Sequence, residues 1–489
     1  MRGKERSSVT RPPLHSLFAA RARCAQLEYR EWRRSRGAPS GVAELNAELI
    51  KSSDAHAVER AAKLATMAHL PPQNPPPEVS VLMPCRNALP FLPDAVGSVL
   101  AQRGVRLELI AVDDGSADGS LAWLQACAAA LQERRAGDAA ERSAPCSAYD
   151  AAVQEAAAGC MPWEASACVA LSPAEVAARA APGVTLRVLS VSSCGPSGQG
   201  LALNTALELA RAPLVGEMEA DDVRPPHAFA TLRDALAAHP SWHGATSLVA
   251  IGGWPRPGMA RWVDWMNSVQ RPHELAAARF VEIPALRAAG LYRREALSRI
   301  AAPRTYRDLW QDAAGGLLDA ACAPEAAQEA QLPGWWPVDS DFFGRFFDAG
   351  LVLGKVPEPL YVWRQYPAQS TRTHARCALP RLRSAKVHFL TTPGGPAAAA
   401  AVPGGDARVQ LWGCGATLDA WAADLSAAGV RLQLMRWRPG EAPPDEAHSC
   451  PGPLACRLWA FGMEKARRRV RATAPGGFDD GGLDFFIGS

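Results

Sequence analysis

Three short polar motifs in the first half of the chain have residue types that could bind a charged ligand. They are PCRN at 84–87, DDGS at 113–116 and EADD at 219–222. Paired carboxylates such as Asp221 and Asp222 are hard oxygen ligands for Mg²⁺ or Mn²⁺. A cation held there could neutralise a diphosphate leaving group, and a further carboxylate could accept hydrogen bonds from a nucleotide base or ribose. Taken singly, DDGS is more often a turn that caps a helix.

Each motif follows or ends an apolar run that predicts a buried strand. The predicted strands are at 79–83, 107–112, 185–190 and 214–218. Helical patterns follow them at 91–102 and 119–131, and a third is opened by residues 195–200 and runs to 211. This alternation predicts an α/β domain with a parallel sheet and crossover helices. Because such sheets bind ligands at the carboxyl ends of their strands, we expect the three motifs to meet at one edge.

The domain organisation is predicted from breaks in this pattern. The 489 residues allow about two or three domains. We predict a basic helical extension with a proline-rich linker over 1–77, an α/β domain over 78–390, and a linker over 391–405 before a small Rossmann-like domain over 406–489. Residues 132–182 are of low complexity, and we interpret them as a largely mobile surface insertion. The loop GCG at 413–415 half-matches a dinucleotide-binding pattern, so no bound dinucleotide is expected.

The composition excludes several classes of protein. Hydrophobic residues are 48% and charged residues 21% of the chain, which is typical of a globular protein. No stretch of about 18 consecutive uncharged apolar residues exists, so we expect no integral membrane association. Twelve cysteines without a CxxC pair argue against a structural zinc site. We predict a cytoplasmic location, and the arginine-rich start leaves an organelle transit peptide as the alternative.

The net charge of only +3 means that any nucleic-acid binding must depend on a local basic patch. Residues 1–70 contain 13 Lys and Arg against 7 Asp and Glu. The run KARRRVR at 465–471 is either a solvated helix face or a patch that contacts tRNA phosphates.

The motifs at 79–87, 98–102, 112–116 and 219–222, in this order, resemble those of the family 2 glycosyltransferases. The resemblance covers about 78–390 and implies a GT-A-type nucleotide-sugar transferase fold, an inverting transfer, a UDP-sugar donor and an Mn²⁺ or Mg²⁺ cofactor. It implies that Asp114 holds the uracil, with Pro84 and Asn87 lining the nucleotide pocket. The other residues that it implies for the site are Arg86, Asp113, Asn204, Asp221 and Arg364 for the nucleotide sugar, and Asp222 and Asp221, with His374 as a further candidate, for the metal.

The same resemblance aligns Asp339 with the family's catalytic base. An inverting transfer needs one carboxylate that removes the proton from the acceptor hydroxyl as this hydroxyl attacks the anomeric carbon. Asp341 is the alternate base, although we expect it to pair with Arg345 on the helix surface. A role for Asp339 as the N-cap of a helix over 342–349 is a further reading, which can coexist with catalysis.

A second, patchier resemblance is to the galactosyltransferases that modify queuosine in tRNA. It depends on RWVDWMN at 261–267, DSDFF at 339–343, LYVWR at 360–364 and LDFFI at 483–487. It implies transfer of galactose to tRNA.

The chain departs from the family pattern at three positions. Leu203 replaces a frequent cation, Val338 a Glu, and Tyr366 a His. The departures at 203 and 338 keep open the alternative of a catalytically weakened nucleotide-sugar-binding protein. The motifs alone do not identify the acceptor, so a transferase that acts on a glycan is also open. The sequence predicts no oligomeric state.

Overall fold

The structure is a computed structural model that describes most of the chain after residue 74. The described residues are 75–137, 171–191, 198–253, 255–301, 304–307, 309–311, 317–319, 336–373, 377–442, 444, 452–479 and 482–488. Pro76–Ser489 form one compact unit. The predicted helical extension, the centre of the predicted insertion and His374 lie outside the described residues. The predicted domain boundaries stay predictions.

A mixed sheet of seven strands organises the first part of the described chain. Its strands are β1 Val79–Cys85, β2 Leu107–Asp113, β3 Val184–Ser190, β4 Leu214–Glu217, β5 Gly244–Gly253, β6 Leu291–Arg293 and β9 Leu353–Gln365. Their order in the sheet is β3-β2-β1-β4-β6-β5-β9. Two short strands, β7 Leu309–Gln311 and β8 Leu317–Asp319, form a separate antiparallel pair.

The helices lie between these strands in chain order. They are α1 Leu92–Leu100, α2 Ser120–Gly137, α3 Pro173–Ala178, α4 Gln199–Leu209, α5 Ala228–Ala238, α6 Pro257–Ser268, α7 Pro272–Ala278, α8 Arg294–Ser298, α9 Val338–Asp348, α10 Ser370–Thr373 and α11 Leu379–Thr391. A short 3₁₀ helix at Arg287–Ala289 comes directly before β6.

Parallel pairing brings the predicted motifs to one edge of the sheet. The central strand β1 pairs in parallel with β2 and with β4, and β2 pairs in parallel with β3. Strand β6 is antiparallel to β4 and β5. The carboxyl ends of β1, β2 and β4 therefore meet, as expected from the sequence. The predicted fold class, α/β with a mostly parallel sheet, is confirmed.

Apolar strands and helix faces fill the core around this sheet, and one buried carboxylate lies within it. All seven residues of β2 are buried, and they include Glu108. Glu108 accepts hydrogen bonds from the Ser80 hydroxyl at 2.7 Å and the Arg211 backbone NH at 2.7 Å, and it pairs with Arg187 at 3.2 Å. A buried charge is tolerated when it is paired and hydrogen-bonded in this way. The three motifs at the carboxyl edge of the sheet do not take part in this network.

The prediction of a mobile surface segment over 132–182 is wrong at both ends of that range. Helix α2 continues to Gly137, and α3 begins with Ser172 as a side-chain cap whose hydroxyl accepts from the Glu175 NH. Val176 of α3 is fully buried. Arg134 of α2 donates hydrogen bonds to the Ala177 carbonyl at 3.0 Å. The second end packs in the core through Leu171, Val176 and Ala177, which the low-complexity interpretation overlooked, whereas Gln132 and Glu133 continue α2 as exposed residues.

A second, fully parallel sheet forms in the last part of the chain. It contains β10 Arg408–Gly413, β11 Leu432–Arg436, β12 Leu454–Ala460 and β13 Asp484–Ile487, in the order β11-β10-β12-β13, with helices α12 Gly415–Ala427 and α13 Glu464–Thr473. Its core is continuous with the first part of the chain. Phe280 and Phe389 pack in one cluster with Trp421 and Ile487. In the described residues, no helix is long and apolar enough to span a membrane.

Candidate functional site

The loops after β1 and β2 are tied to each other by side-chain hydrogen bonds. The Asn87 side chain accepts from the Ala117 NH at 2.8 Å, and the Asn87 NH donates to the Ser116 hydroxyl at 2.9 Å. Asn87 has a φ of 49°, in the left-handed region, where Asn is better tolerated than most residues. Pro84 is half-buried and Arg86 is exposed beside this connection. The two loops thus form one rigid wall at the edge of the sheet.

Asp113 and Asp114 have different environments at the end of β2. Asp113 Oδ2 accepts from the NH groups of Gly115 and Ser116 at 3.2 and 3.1 Å, which is the turn-capping role expected for DDGS alone. Its Oδ1 is buried and has no hydrogen-bond partner among the described residues. Asp114 is buried, and its Oδ2 accepts from the Gly198 NH at 2.9 Å, just before α4. A buried acceptor without a donor costs about 1–3 kcal/mol, so Asp113 Oδ1 is suited to a hydroxyl donor from a ligand.

Asp222 at the end of the EADD motif is held by β9. Its Oδ2 accepts from the Tyr361 hydroxyl at 2.5 Å, and its Oδ1 accepts from the Arg364 NH at 2.7 Å. The antiparallel bridge between Val223 and Val362 brings these groups together. Burial raises the pKa of Asp222 well above its usual range, and the charge of Asp221 raises it further. Asp222 is 1% exposed, whereas Asp221 and Glu219 are partly accessible, so Asp222 is the carboxylate of the motif that is least accessible to a metal ion.

Asp221 is the more accessible carboxylate of the pair. Its Oδ2 accepts from the Tyr366 hydroxyl at 2.7 Å, and the Tyr366 ring packs on Phe91 with centroids 4.7 Å apart. Burial raises the pKa of Asp221. Tyr366, which the sequence marked as a lost histidine, therefore contacts the acidic motif directly.

Arg364 joins α1 to β9. Its guanidinium pairs with Asp94 of α1 at 3.0 Å and lies 5.2 Å from the centroid of the Phe91 ring. The side chain is 3% exposed. Its contacts position the backbone that holds Asp222, so the expected direct role of Arg364 in binding the nucleotide sugar stays a prediction.

Asn204 and two of the sequence departures lie in the interior. Asn204 donates to the Tyr306 carbonyl at 2.6 Å and accepts from the Tyr306 NH at 3.1 Å, which uses its amide for packing. The nucleotide-sugar role suggested for Asn204 is thus not supported by its contacts. Leu203 is fully buried and Val338 is 5% exposed. Both positions lie in the core, where a charged side chain would need a buried partner. An apolar residue is therefore favoured at each.

Arg287, which no sequence motif singled out, joins three carboxylates. Its Nε donates to Asp339 Oδ1 at 3.0 Å, its Nη2 is 3.5 Å from Glu219 Oε1, and its Nη1 forms an ion pair with Glu217. The Arg287 side chain is 2% exposed. The contacts to Asp339 and Glu219 span 52 and 68 positions of the chain. Only the folded chain therefore reveals that Asp339 is linked to the EADD motif.

The two aspartates at the start of α9 have opposite surroundings. Asp339 lies in the first turn and is 24% exposed. It is not an N-cap, because α9 begins at Val338 after Pro337 without a side-chain cap, so that interpretation is wrong. Asp341 is 1% exposed and pairs with Arg345 at 2.6 Å. The expected Asp341–Arg345 pair is confirmed, but it is buried instead of lying on the helix surface, and Arg307 also binds Asp341.

The residues of the EADD motif fit a divalent cation held jointly by protein and substrate. In the part of the chain that the structure describes, no group of three or more His, Cys, Asp or Glu side chains could hold a metal ion. Mg²⁺-type sites often use only one or two carboxylates together with substrate phosphates. Asp221 and Glu219 are both partly accessible. Gln199 donates to both Glu219 oxygens at 2.8 and 3.0 Å and so orients this carboxylate.

The basic run at 465–471 lies on α13 and divides into two classes. Arg467 is buried, with its guanidinium 5.5 Å from the Trp265 ring centroid, and burial lowers its pKa to about 10. The other cations of the run, Lys465, Arg468, Arg469 and Arg471, are exposed. One part of the run is thus structural, and the rest forms a solvated basic face.

Residues 80–158 match the sequence model of the glycosyl transferase family 2. This segment of the chain is therefore similar to family 2 glycosyltransferases. This segment includes the PCRN and DDGS motifs, whose loops are tied together at the edge of the sheet. The match covers a minority of the chain, and EADD and Asp339 lie outside it. No curated protein matches the chain significantly.

Solved structures of glycosyltransferases align with the chain at low identity. An S. aureus TarS 1–349 structure in complex with UDP is 11% identical, with 64% of this chain and 66% of that chain covered and a TM-score of 0.34. The Pyrobaculum calidifontis mannosyltransferase with GDP-Man and Mn²⁺ is 15% identical, with 79% and 85% covered and a TM-score of 0.36. The chain thus spans slightly less than two thirds of the TarS fragment.

A third solved structure contains a metal ion, a nucleotide sugar and a phosphorylated small molecule. It is the Mycobacterium tuberculosis glucosyl-3-phosphoglycerate synthase with Mn²⁺, UDP-glucose and phosphoglyceric acid. It is 15% identical, with 66% of this chain and 83% of that chain covered and a TM-score of 0.34.

Proposed function

We propose that this protein is an inverting, metal-dependent glycosyltransferase that moves a hexose from a UDP-sugar to an acceptor hydroxyl. The observation that carries the proposal is the link through Arg287. A partly exposed carboxylate on α9, Asp339, and one on the EADD motif, Glu219, bind the same guanidinium. The two halves of a transfer site, the donor-binding edge and a base, are thereby within one arginine side chain of each other.

The donor nucleotide would bind at the wall formed by the loops after β1 and β2. Asp114 is the proposed acceptor for the uracil NH, and the partnerless Asp113 Oδ1 is suited to a ribose hydroxyl. Asn87 fixes the distance between the loops. A rigid wall of this kind reduces the entropy that the protein loses when it orders its loops on the nucleotide.

Asp221 and Glu219 would hold the divalent cation, which would neutralise the diphosphate as it leaves. Asp222 instead orients the loop through Tyr361 and the Arg364 backbone. This assignment keeps Asp221, which the sequence interpretation already named as a metal ligand, and replaces Asp222 by Glu219.

Asp339 would accept the proton from the attacking hydroxyl. It is exposed enough to reach an acceptor, whereas Asp341 is enclosed by two arginines and has no free face. One displacement with a base and no covalent nucleophile inverts the anomeric centre. Asp339, and not Asp341, is therefore our proposed base.

Galactose as the sugar and queuosine in tRNA as the acceptor are the finer part of the proposal. The sequence resemblance and the exposed cations of α13 support them. Phosphate contacts by such cations would make binding depend on salt.

A donor screen tests the proposal. Purified protein with Mn²⁺ would be incubated with UDP-galactose, UDP-glucose or UDP-N-acetylglucosamine, with and without tRNA that contains queuosine, and released UDP would be measured. We expect UDP release that needs Mn²⁺ and increases with tRNA and UDP-galactose, together with galactosylated queuosine in the digested tRNA by mass spectrometry. UDP release at background level with every donor would contradict the proposal and favour a binding protein. Release without any change in tRNA nucleosides would contradict the acceptor alone.

A further inference from the structure

We propose that Arg287 is a positioning residue for the transfer step, holding the Asp339 carboxylate in a fixed place relative to the acidic motif after β4. The inference rests on the proposed function and adds to it a residue that neither the motifs nor the family segment at 80–158 contains. It follows from the contacts of one buried guanidinium.

The three carboxylates on Arg287 come from three separate elements. Glu217 ends β4, Glu219 lies in the following loop, and Asp339 is in the first turn of α9. A guanidinium presents several NH groups in a rigid planar fork, so one Arg can fix the relative positions of several carboxylates. Lysine offers a single flexible ammonium and cannot do the same.

Arg287 itself is held firmly in place. It begins the 3₁₀ helix before β6, and its carbonyl accepts from the Tyr292 hydroxyl at 3.1 Å. Its guanidinium lies 5.3 Å from the centroid of the Tyr306 ring. Tyr292 and Tyr306 are almost fully buried, and both pack on Phe342 of α9, with ring centroids 5.2 and 5.8 Å apart. The arginine and the helix that carries Asp339 therefore share one packed support.

The carboxyl groups around Arg287 differ in how far they are exposed. One guanidinium contacts all three of these groups. The outer members, Glu219 and Asp339, are 29% and 24% exposed, whereas Glu217 is 1% exposed. The buried contact of Arg287 with Glu217 therefore supports the fold. Its contacts with Glu219 and Asp339 hold two carboxylates that are partly accessible. This is the arrangement needed to align a base with a donor site.

Arg279 provides a matched control because it makes a comparable ion pair with the other end of α9. It pairs with Asp348 at 2.9 Å, and its side chain is 13% exposed. It donates to the Gly344 carbonyl of the same helix at 3.3 Å. Removing the Arg279 guanidinium should weaken the packing of α9. It should leave the contact between Asp339 and Arg287 unchanged.

The test compares Arg287→Lys, Arg287→Met and Arg279→Met by kcat, KM for the donor and melting temperature. We expect Arg287→Lys to keep the fold and to lower kcat about 10²-fold with donor KM changed by less than about threefold, because misplacement of a catalytic group by about 1 Å has this cost. Arg279→Met should lower the melting temperature and leave kcat within about twofold. If Arg287→Met folds, adding it to Asp339→Asn should lower kcat little further, since two residues that act through one step are not additive.

Several outcomes would overturn the inference. A kcat near wild type in folded Arg287→Lys, or a loss of kcat in Arg279→Met as large as that in Arg287→Lys, would show that Arg287 only stabilises the fold. Full additivity with Asp339→Asn would show that it does not act through this carboxylate. A wild-type protein that releases no UDP from any donor would instead overturn the proposed function, and the inference with it.

Discussion

At the scale of single residues, burial separates the carboxylates that can do chemistry from those that support the fold. Asp339 and Asp221 each keep accessible surface, whereas Asp341 and Asp222 are enclosed and fully used by protein donors. Neighbouring aspartates of identical type therefore have different roles, and the difference comes from the partners that the fold supplies.

Asp341→Asn is expected to destabilise the protein strongly. The substitution leaves Arg307 and Arg345 without their shared carboxylate, and breaking a buried ion pair from one side costs about 3–5 kcal/mol. Urea unfolding monitored by circular dichroism measures this loss. The kcat of the folded fraction should stay within about threefold of wild type, and a large loss of kcat at full stability would identify Asp341 as the base instead.

Asp221→Asn is expected to lower transfer by about 10²-fold, because the cation loses one of its charged ligands. The Mn²⁺ concentration for half-maximal rate should increase in the same variant. Isothermal titration of Mn²⁺ in the presence of UDP provides a reading that does not depend on turnover. Unchanged metal dependence would exclude Asp221 as a ligand and return the role to Asp222.

At the scale of elements, the contacts of strand β9 determine which aspartate of the EADD motif is enclosed. Tyr361 and Arg364 of β9 bind Asp222, and Tyr366, directly after the strand, binds Asp221. The sequence predicted the strands before the motifs and their common edge, because those depend on local hydrophobic pattern. It could not predict which aspartate β9 would enclose. That depends on the bridge between Val223 and Val362, which are distant in sequence.

The same limit explains why the sequence missed Arg287 and the buried contacts of Asn204. Each makes its decisive contacts with residues 52 or more positions away, and neither type is unusual in its local segment. The sequence suggested that Leu203 and Val338 weaken the activity, because a motif does not show that both positions are buried.

Lys355 in β9 should make the stability depend on pH. Its Nζ donates to the carbonyls of Met266 and Pro284 at 2.6 and 3.0 Å, and burial lowers its pKa to about 7. Between this value and the unfolded pKa near 10.5, the unfolded chain binds the extra proton, so the free energy of unfolding increases with pH. The slope from this group is at most about 1.4 kcal/mol per pH unit.

The comparison of wild type with Lys355→Met isolates this effect, because other titrating groups cancel in the difference. Urea unfolding at pH 7, 7.5, 8 and 8.5 should give a steeper increase for wild type than for the variant. Parallel curves would mean that Lys355 stays protonated in the folded protein.

At the scale of the whole described unit, the two sheets should unfold together. Lys386 of α11 donates to the carbonyls of Val281 and Gly488 at 2.9 and 3.0 Å, and Ile487 of β13 lies in the cluster that contains Phe280 and Phe389. A shared core makes the two parts cooperative.

Ile487→Ala tests this cooperativity. We expect the free energy of opening to fall by about 2–4 kcal/mol, because the side chain is fully buried. Hydrogen exchange with mass spectrometry should show the same loss for β1 and β12. The exposed Leu434 provides the control, since Leu434→Ala should change neither. A loss confined to β10–β13 would mean that the second sheet opens by itself.

The transfer activity of Asp339→Asn, measured beside its affinity for UDP-sugar, tests the central claim most directly. The substitution keeps the shape of the side chain and removes the proton acceptor. We predict a fall in transfer of about 10²–10⁴-fold, the usual contribution of a general base, with the dissociation constant for the donor changed by less than about threefold. Transfer that stays within tenfold of wild type in a correctly folded variant would contradict the account.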